Sequence, residues 1–234
     1  MKTAIIIAGH IRTWEKTRDS FLKIFSHLSP DVYVTTYDKQ YGYHPHIKGL
    51  TNYHEDVILD EESVVNSFKG VGVNTYVDIT DSDMMDSYIA QQKVAIHPRM
   101  QNMENSLGQF LKLQHAVNSI IDIETQNNFK YDYIMKTRAD ALYEDNVQLS
   151  VTEKEVLVDI GNTFPNDQFI MANHDDFIGI SNFMVNEFYN FTVPSSSQNP
   201  PHTMLLNAMN SQGVTITSKK ILRSIMRVNG EQYY

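Results

Sequence analysis

Residues 3–8 read TAIIIA, a short apolar run rich in β-branched side chains and closed by Gly9. A strand without polar alternation has to be covered on both faces, so this run demands helices on either side of a sheet. Immediately downstream, Trp14, Thr17, Arg18, Phe21, Ile24, Phe25 and Leu28 recur at helical spacing with charges between them, and Pro30 closes the segment. Asp31-Val-Tyr-Val-Thr-Thr36 then reads as a second strand. Strand, helix and strand in that order imply a parallel pair joined by a right-handed crossover.

The same alternation continues, with one interruption. Residues 38–58 are rich in Tyr, Gly, His and Pro and show no period, which reads as a long loop. Glu61–Lys69 reads as a short helix and Val73–Asp78 as a third strand, before a polar, Met-rich stretch over 81–104. A long helix is expected from about Ser106 to Thr125, followed by a fourth strand, Tyr131–Thr137. Further on the pattern loosens: Val156–Ile160, Phe169–Met171 and Phe177–Ile180 read as short strands, Asn182–Phe191 and His202–Asn210 as helices, and Gly213–Thr217 as a last strand. The expectation is α/β, one domain over 1–234, with a mostly parallel sheet in residues 1–140 and a mixed half over 141–234.

Charge and composition narrow the function classes. Nineteen Lys and Arg stand against 28 Asp and Glu, a formal charge of −9, with no basic run. That argues against nucleic acid or an anionic membrane surface as the main partner. No apolar stretch approaches the roughly 18 residues of a membrane span. Ala4–Ala8 is too short, and follows too small a basic region, to read as a signal peptide. There is no cysteine, hence no disulfide frame, thiol nucleophile or thiolate metal site, and the expected location is cytoplasmic. The absence of Walker, G-x-G-x-x-G and G-x-S-x-G patterns argues against P-loop NTPases, dinucleotide oxidoreductases and serine hydrolases.

In an open parallel sheet, ligands bind beyond the carboxyl ends of the strands. That rule nominates Gly9, His10 and Arg12 after the first strand and Tyr37 and Asp38 after the second. It adds Asp78, Asp81 and Asp83 after the third, and Arg138 and Asp140 after the fourth. A glycine permitting close approach, a cation and several carboxylates suit a metal-bound diphosphate. Asp81-Ser-Asp83 is a literal D-x-D, but with 17 Asp in 234 residues chance supplies about one such match, and either acid can equally cap a helix. Arg138 and Asp140 lie two apart on an extended segment and so share a face. Asp175 and Asp176, read as preceding the strand Phe177–Ile180, are the candidates for a catalytic base. His44, His46 and His54 lie in the irregular loop without a metal-ligand spacing.

Taken together these stretches resemble the GT-A-type glycosyltransferase-like proteins of surface-polysaccharide clusters and large viruses. The resemblance is carried by Gly9-His-Ile-Arg-Thr13, Asp31-Val-Tyr-Val34, Asp175-Asp-Phe-Ile-Gly179 and, most specifically, Tyr131-Asp-Tyr-Ile-Met-Lys-Thr-Arg-Ala-Asp140. It implies a GT-A-like, Rossmann-like domain that moves a sugar from a nucleoside-diphosphate sugar to a glycan or other hydroxyl acceptor, in polysaccharide biosynthesis. A divalent ion, manganese or magnesium, usually assists. Carried over, Gly9, His10 and Arg12 would hold the nucleotide and Arg138 and Asp140 would replace the D-x-D, with Asp140 facing the metal or the donor ribose. Beside them, Asp38 is a further candidate for the donor, and Asp176 or Asp175 for the base if the route inverts. Where relatives often carry Pro-Glu at a late helix start, this chain has Pro201-His202. Two other readings share the sheet logic: a sugar nucleotidyltransferase, whose Gly-rich loop with a lysine is missing after the first strand, and a non-catalytic nucleotide- or glycan-binding module.

Overall fold

The computed structural model describes residues 1–11, 13–40, 57–81, 83–84, 87, 103–160, 165–190, 200–226 and 232–233. The strands are β1 (Thr3–Ala8), β2 (Asp31–Tyr37), β3 (Lys39–Gln40), β4 (Val57–Ile58), β5 (Thr75–Thr80) and β6 (Tyr133–Thr137). They continue with β7 (Ala141–Tyr143), β8 (Glu155–Ile160), β9 (Pro165–Asn173), β10 (Thr215–Lys219), β11 (Leu222–Met226) and β12 (Gln232–Tyr233). The helices, numbered here in chain order, are α1 (Trp14–Phe25), α2 (Glu61–Ser67), α3 (Met103–Asn127), α4 (His174–Asn190) and α5 (Pro200–Ser211). The fold is α/β, with a mostly parallel seven-stranded sheet flanked by helices and compatible with a Rossmann-like arrangement.

Strand order is β10-β8-β9-β6-β1-β2-β5, so the sheet takes strands from residue 3 to residue 219. β1 pairs in parallel with β2 on one side and with β6 on the other, β5 extends β2, and β10 runs parallel to β8. Only β9 is reversed, antiparallel to both β6 and β8. Two small sheets stand apart: β12-β11-β7, and the β3-β4 pair that connects Lys39 and Gln40 to Ile58 and Val57.

The apolar run of β1 is explained by its two neighbours. Ala4, Ile6 and Ala8 pack into one core with α3, α4 and α5, including Phe110, Val117, Ile180 and Leu205. Ile5 and Ile7 face the other core, formed with α1, α2 and the β7-β11 ribbon. There Trp14 stacks on Phe68 at 4.3 Å, its indole N–H donates to the Ser67 carbonyl at 3.0 Å, and Phe25 meets Tyr143 edge-on at 5.0 Å.

Two segments depart from the sequence reading. Phe177–Ile180 is helix, the second turn of α4, rather than a strand. Asn173 caps that helix: its Oδ1 accepts from the Asp176 amide at 3.0 Å while its Nδ2 donates to the Asp176 carboxylate at 2.6 Å. Phe177, Ile180, Met184 and Val185 are all buried, a three-and-four spacing that a strand cannot produce. Asp78 lies within β5 rather than after it. Of the stretch read as a loop over 38–58, the described ends pair as β3 and β4, while residues 41–56, with His44, His46 and His54, fall outside the described residues, as do 82, 85–86 and 88–102 of the polar stretch over 81–104.

Phe25 is fully buried among Phe21, Tyr143 and Phe169. Phe25→Ala is expected to cost about 3–5 kcal/mol of unfolding free energy, the range for truncating a core aromatic. Chemical denaturation checks this, and a loss under about 1 kcal/mol would mean that the aromatic cluster is not the packing centre of that face.

Candidate functional site

The chain runs outward from β1 through β2 to β5, then returns to place β6 on the other side of β1. The carboxyl ends of β1 and β6 therefore bound the crevice where strand order reverses, the usual ligand position in such sheets. Gly9 sits at its floor with φ +114°, a conformation that favours glycine. A methyl group added there would meet no atom of the described residues within 4 Å. The Gly9 amide is tied to the Thr35 carbonyl at 3.0 Å.

On the β6 side, the segment Arg138-Ala139-Asp140 is fixed from three directions. The Thr17 hydroxyl of α1 donates to the Ala139 carbonyl, the Met226 amide donates to the Asp140 carbonyl at 2.7 Å, and Ala139 is buried. Alternation places Ile134, Lys136 and Arg138 toward the α3–α5 face, since Ile134 lies in that core and Met135 in the other. Arg138 and Asp140 form a two-bond pair, Nε to Oδ1 and Nη2 to Oδ2, each 2.7 Å. Asp140 holds the guanidinium firmly in its charged form, against burial and with help from Asp167.

Three further groups complete a charged cluster that sequence reasoning missed. Because β9 is reversed, its first residues lie at the carboxyl end of β6, and they bring Asp167 there. Lys136, only 5% exposed, donates from Nζ to the Asp167 main-chain carbonyl. His202, on the first turn of α5, has Nε2 3.7 Å from Asp167 Oδ1. Burial by itself would raise the Asp167 carboxyl, but Lys136, His202 and Arg138 together hold it well below the usual carboxylate range. Burial pulls the Lys136 amine down, opposed by Asp167 and Asp140. The signal in the sequence was Lys136 itself, a charge in an otherwise apolar strand.

On the β2 side, His10 and Tyr37 face each other with ring centroids 5.5 Å apart. Asp38 is fixed by its backbone, its amide bonded to the Thr80 carbonyl and its carbonyl to the Leu59 amide. Gly108 of α3 leaves room for the Tyr37 hydroxyl, which any larger residue would strike. Lys112 of α3 is 1% exposed, with Nζ 2.8 Å from the Tyr37 ring centroid and no hydrogen bond among the described residues. Burial drives its amine down to about 6, with Asp78 and Asp38 working in the opposite direction. Next to it His115 bonds Asp78 at 3.3 Å, which raises the imidazole and lowers the carboxyl.

The structure thus brings Gly9, His10, Asp38, Arg138 and Asp140 to one edge of the sheet. Arg12 lies outside the described residues. Asp81 Oδ1 accepts from the Met84 amide at 3.0 Å, the helix-capping alternative for that D-x-D. The two acids expected to supply a base are elsewhere. β9 runs away from the cluster, so its end at Asn173, paired with Tyr133, carries Asp175 and Asp176 to the amino edge of the sheet. Six residues of extended chain separate Asp167 from Asn173, roughly 20 Å. There Asp176 is 2% exposed and held by Lys154 at 2.5 Å, and Asp175 pairs with Lys130 at 2.7 Å and His174 at 2.9 Å. They border an open depression of about 410 Å³ lined also by Asp132 and Glu153, remote from Gly9 and Arg138. Asp175 and Asp176 therefore do not share a site with the other candidates.

Comparison with known proteins finds no family model that matches the chain and no curated protein with significant sequence similarity. The functional reading consequently rests on the site.

Lys112 gives a test of the geometry on the β2 side. In the unfolded chain its amine titrates near the ordinary lysine value, so between about pH 6 and that value the unfolded state binds the extra proton and this group adds stability as pH rises. Lys112→Met, which keeps the length and removes the charge, is expected to raise stability at pH 7 by about 1–3 kcal/mol and to flatten that slope. Denaturation across about pH 6–9 checks it; a mutant with an unaltered slope would mean the amine is not desolvated.

Proposed function

We propose that the chain is a GT-A-type glycosyltransferase that takes a nucleoside-diphosphate sugar and transfers the sugar to a glycan or other hydroxyl acceptor. The observation that carries this reading is the juxtaposition, at the β1/β6 crevice, of the open backbone at Gly9 with the fixed Arg138–Asp140 segment and its charged neighbours. A parallel half followed by a mixed half with one reversed strand is in keeping with the fold that the sequence resemblance implies.

In such a reaction the anomeric C–O bond to the diphosphate breaks, and negative charge grows on the departing phosphate. Groups fixed in advance around that position lower the barrier because they need not reorganise. Arg138 stands there in its charged form, with Lys136 beneath it, and Arg12 is the further cation that the sequence assigns to the same loop. His10 and Tyr37 offer aromatic surface, and Asp38 a carboxylate, for the nucleoside. An inverting route also needs a base for the acceptor hydroxyl. Asp175 and Asp176, at the other edge of the sheet, are not placed to supply it.

A divalent ion fits this donor set poorly. Such ions take several oxygen ligands. Both oxygens of Asp140 already accept from Arg138, Asp167 is faced by Lys136, His202 and Arg138, and among the described residues no group of three His, Asp or Glu side chains is arranged to hold a metal ion. The same pairing favours a second reading, a non-catalytic nucleotide-binding module on this fold.

Thermal shift against a panel of nucleotide sugars, followed by assay of donor hydrolysis, separates the two readings. One donor is expected to stabilise the protein by mass action and to be turned over. Binding without turnover would support the module, and no binding by any donor would end both. Arg12→Ala is expected to weaken the donor found by about 1–3 kcal/mol in calorimetry; an unchanged affinity in the folded mutant removes Arg12 from the site.

A further inference from the structure

We propose that the Lys136–Arg138–Asp140–Asp167–His202 cluster receives a diphosphate directly on the side chains of Arg138 and His202, without a divalent metal. The inference deepens the reading above and rests on it for the nature of the ligand. Arg138 and His202 are its outward-facing members, 27% and 22% exposed at the side chain, whereas Lys136 lies buried beneath them. Asp140 occupies Nε and Nη2 of Arg138, and the guanidinium has further N–H groups on Nη1 and the second position of Nη2 to offer an anion. A guanidinium whose carboxylate partner is itself pinned at the main chain presents those donors in one orientation, and phosphate oxygens match that fork. His202 rides the first turn of α5, where the helix dipole adds positive potential.

The two carboxylates act as counter-ions of this cluster rather than as metal ligands. A dication entering between them would have to displace Arg138 from Asp140 and sit against the buried Lys136 amine. Both moves bring like charges together in a poorly solvated place. A diphosphate approaching from the crevice meets the exposed faces of Arg138 and His202 and need not displace Arg138 from Asp140 or Lys136 from the Asp167 carbonyl. The cost of ordering is small because Arg138, Asp140 and Ala139 are already fixed.

Calorimetry with inorganic pyrophosphate tests this, in EDTA and then with excess manganese, together with a titration of manganese alone. Saturable binding in EDTA is expected, weakened when excess manganese complexes the pyrophosphate, with no heat from manganese titrated into the protein alone. His202→Ala is expected to weaken pyrophosphate by about 3- to 10-fold, the loss of one bond to a charged partner. Arg138→Gln is expected to weaken it more. Because that variant strands Asp140 and can fail to fold, the decisive variant is His202→Ala, whose side chain is partly exposed. Lys154→Ala, at the amino edge, is the control and is expected to bind as wild type. Pyrophosphate that binds only when manganese is present, manganese that binds by itself, or a folded His202→Ala with wild-type affinity would each overturn the proposal. The nucleotide-sugar panel fails independently: donors turned over only with manganese would keep the glycosyltransferase and discard the metal-free cluster. Metal-free pyrophosphate binding without any donor turned over would do the reverse.

Discussion

The reversal of one strand determines what the crevice contains. Because β9 runs antiparallel between β6 and β8, its first residues arrive at the carboxyl ends of the parallel strands and its last residues leave at the amino ends. Asp167 is thereby placed beside Lys136 and Arg138, and Asp175 and Asp176 are carried away from them. Had β9 been parallel, the two sets of acids would have exchanged edges.

The charges at the crevice are held in pairs rather than left open. Arg138 with Asp140, and Lys136 with the Asp167 backbone, satisfy groups that burial would otherwise penalise heavily. The scaffold around them is stiff: the Thr17 hydroxyl, the Met226 amide and the buried Ala139 fix the segment that follows β6. On the other flank Lys112 is kept against the Tyr37 ring at a cost in stability, a strain of the kind proteins tolerate where a site needs it. Gly9 lies between the two flanks, with no atom of the described residues within 4 Å of where its Cβ would be.

Much of the first half could be read from the sequence because both periodicities are clean there. TAIIIA has no polar alternation because Ala4, Ile6 and Ala8 face one core while Ile5 and Ile7 face the other. Arg138 and Asp140 were legible because they end a convincing strand. The second half was harder for physical reasons. Phe177–Ile180 is a four-residue apolar run whose strand or helix character depends on a cap, Asn173, and on burial at Ile180 and Met184 further along. The edge at which Asp176 lies follows from the direction of β9, which no local pattern states. Asp167 and His202 carry no local motif at all; they matter only because β9 and α5 converge on β6, which no spacing in the sequence encodes.

The central claim is that the carboxyl edge, not the amino-edge depression beside Lys130 and Lys154, receives the nucleotide. Amide chemical-shift mapping during titration with uridine and guanosine diphosphates in EDTA tests it most directly. One of the two is expected to perturb Gly9, His10, Tyr37, Arg138, Asp140 and His202 together, while Lys130, Lys154 and His174 stay unmoved. Perturbations confined to Lys130, Lys154, His174 and Asp175, with the β1/β6 crevice silent, would contradict it.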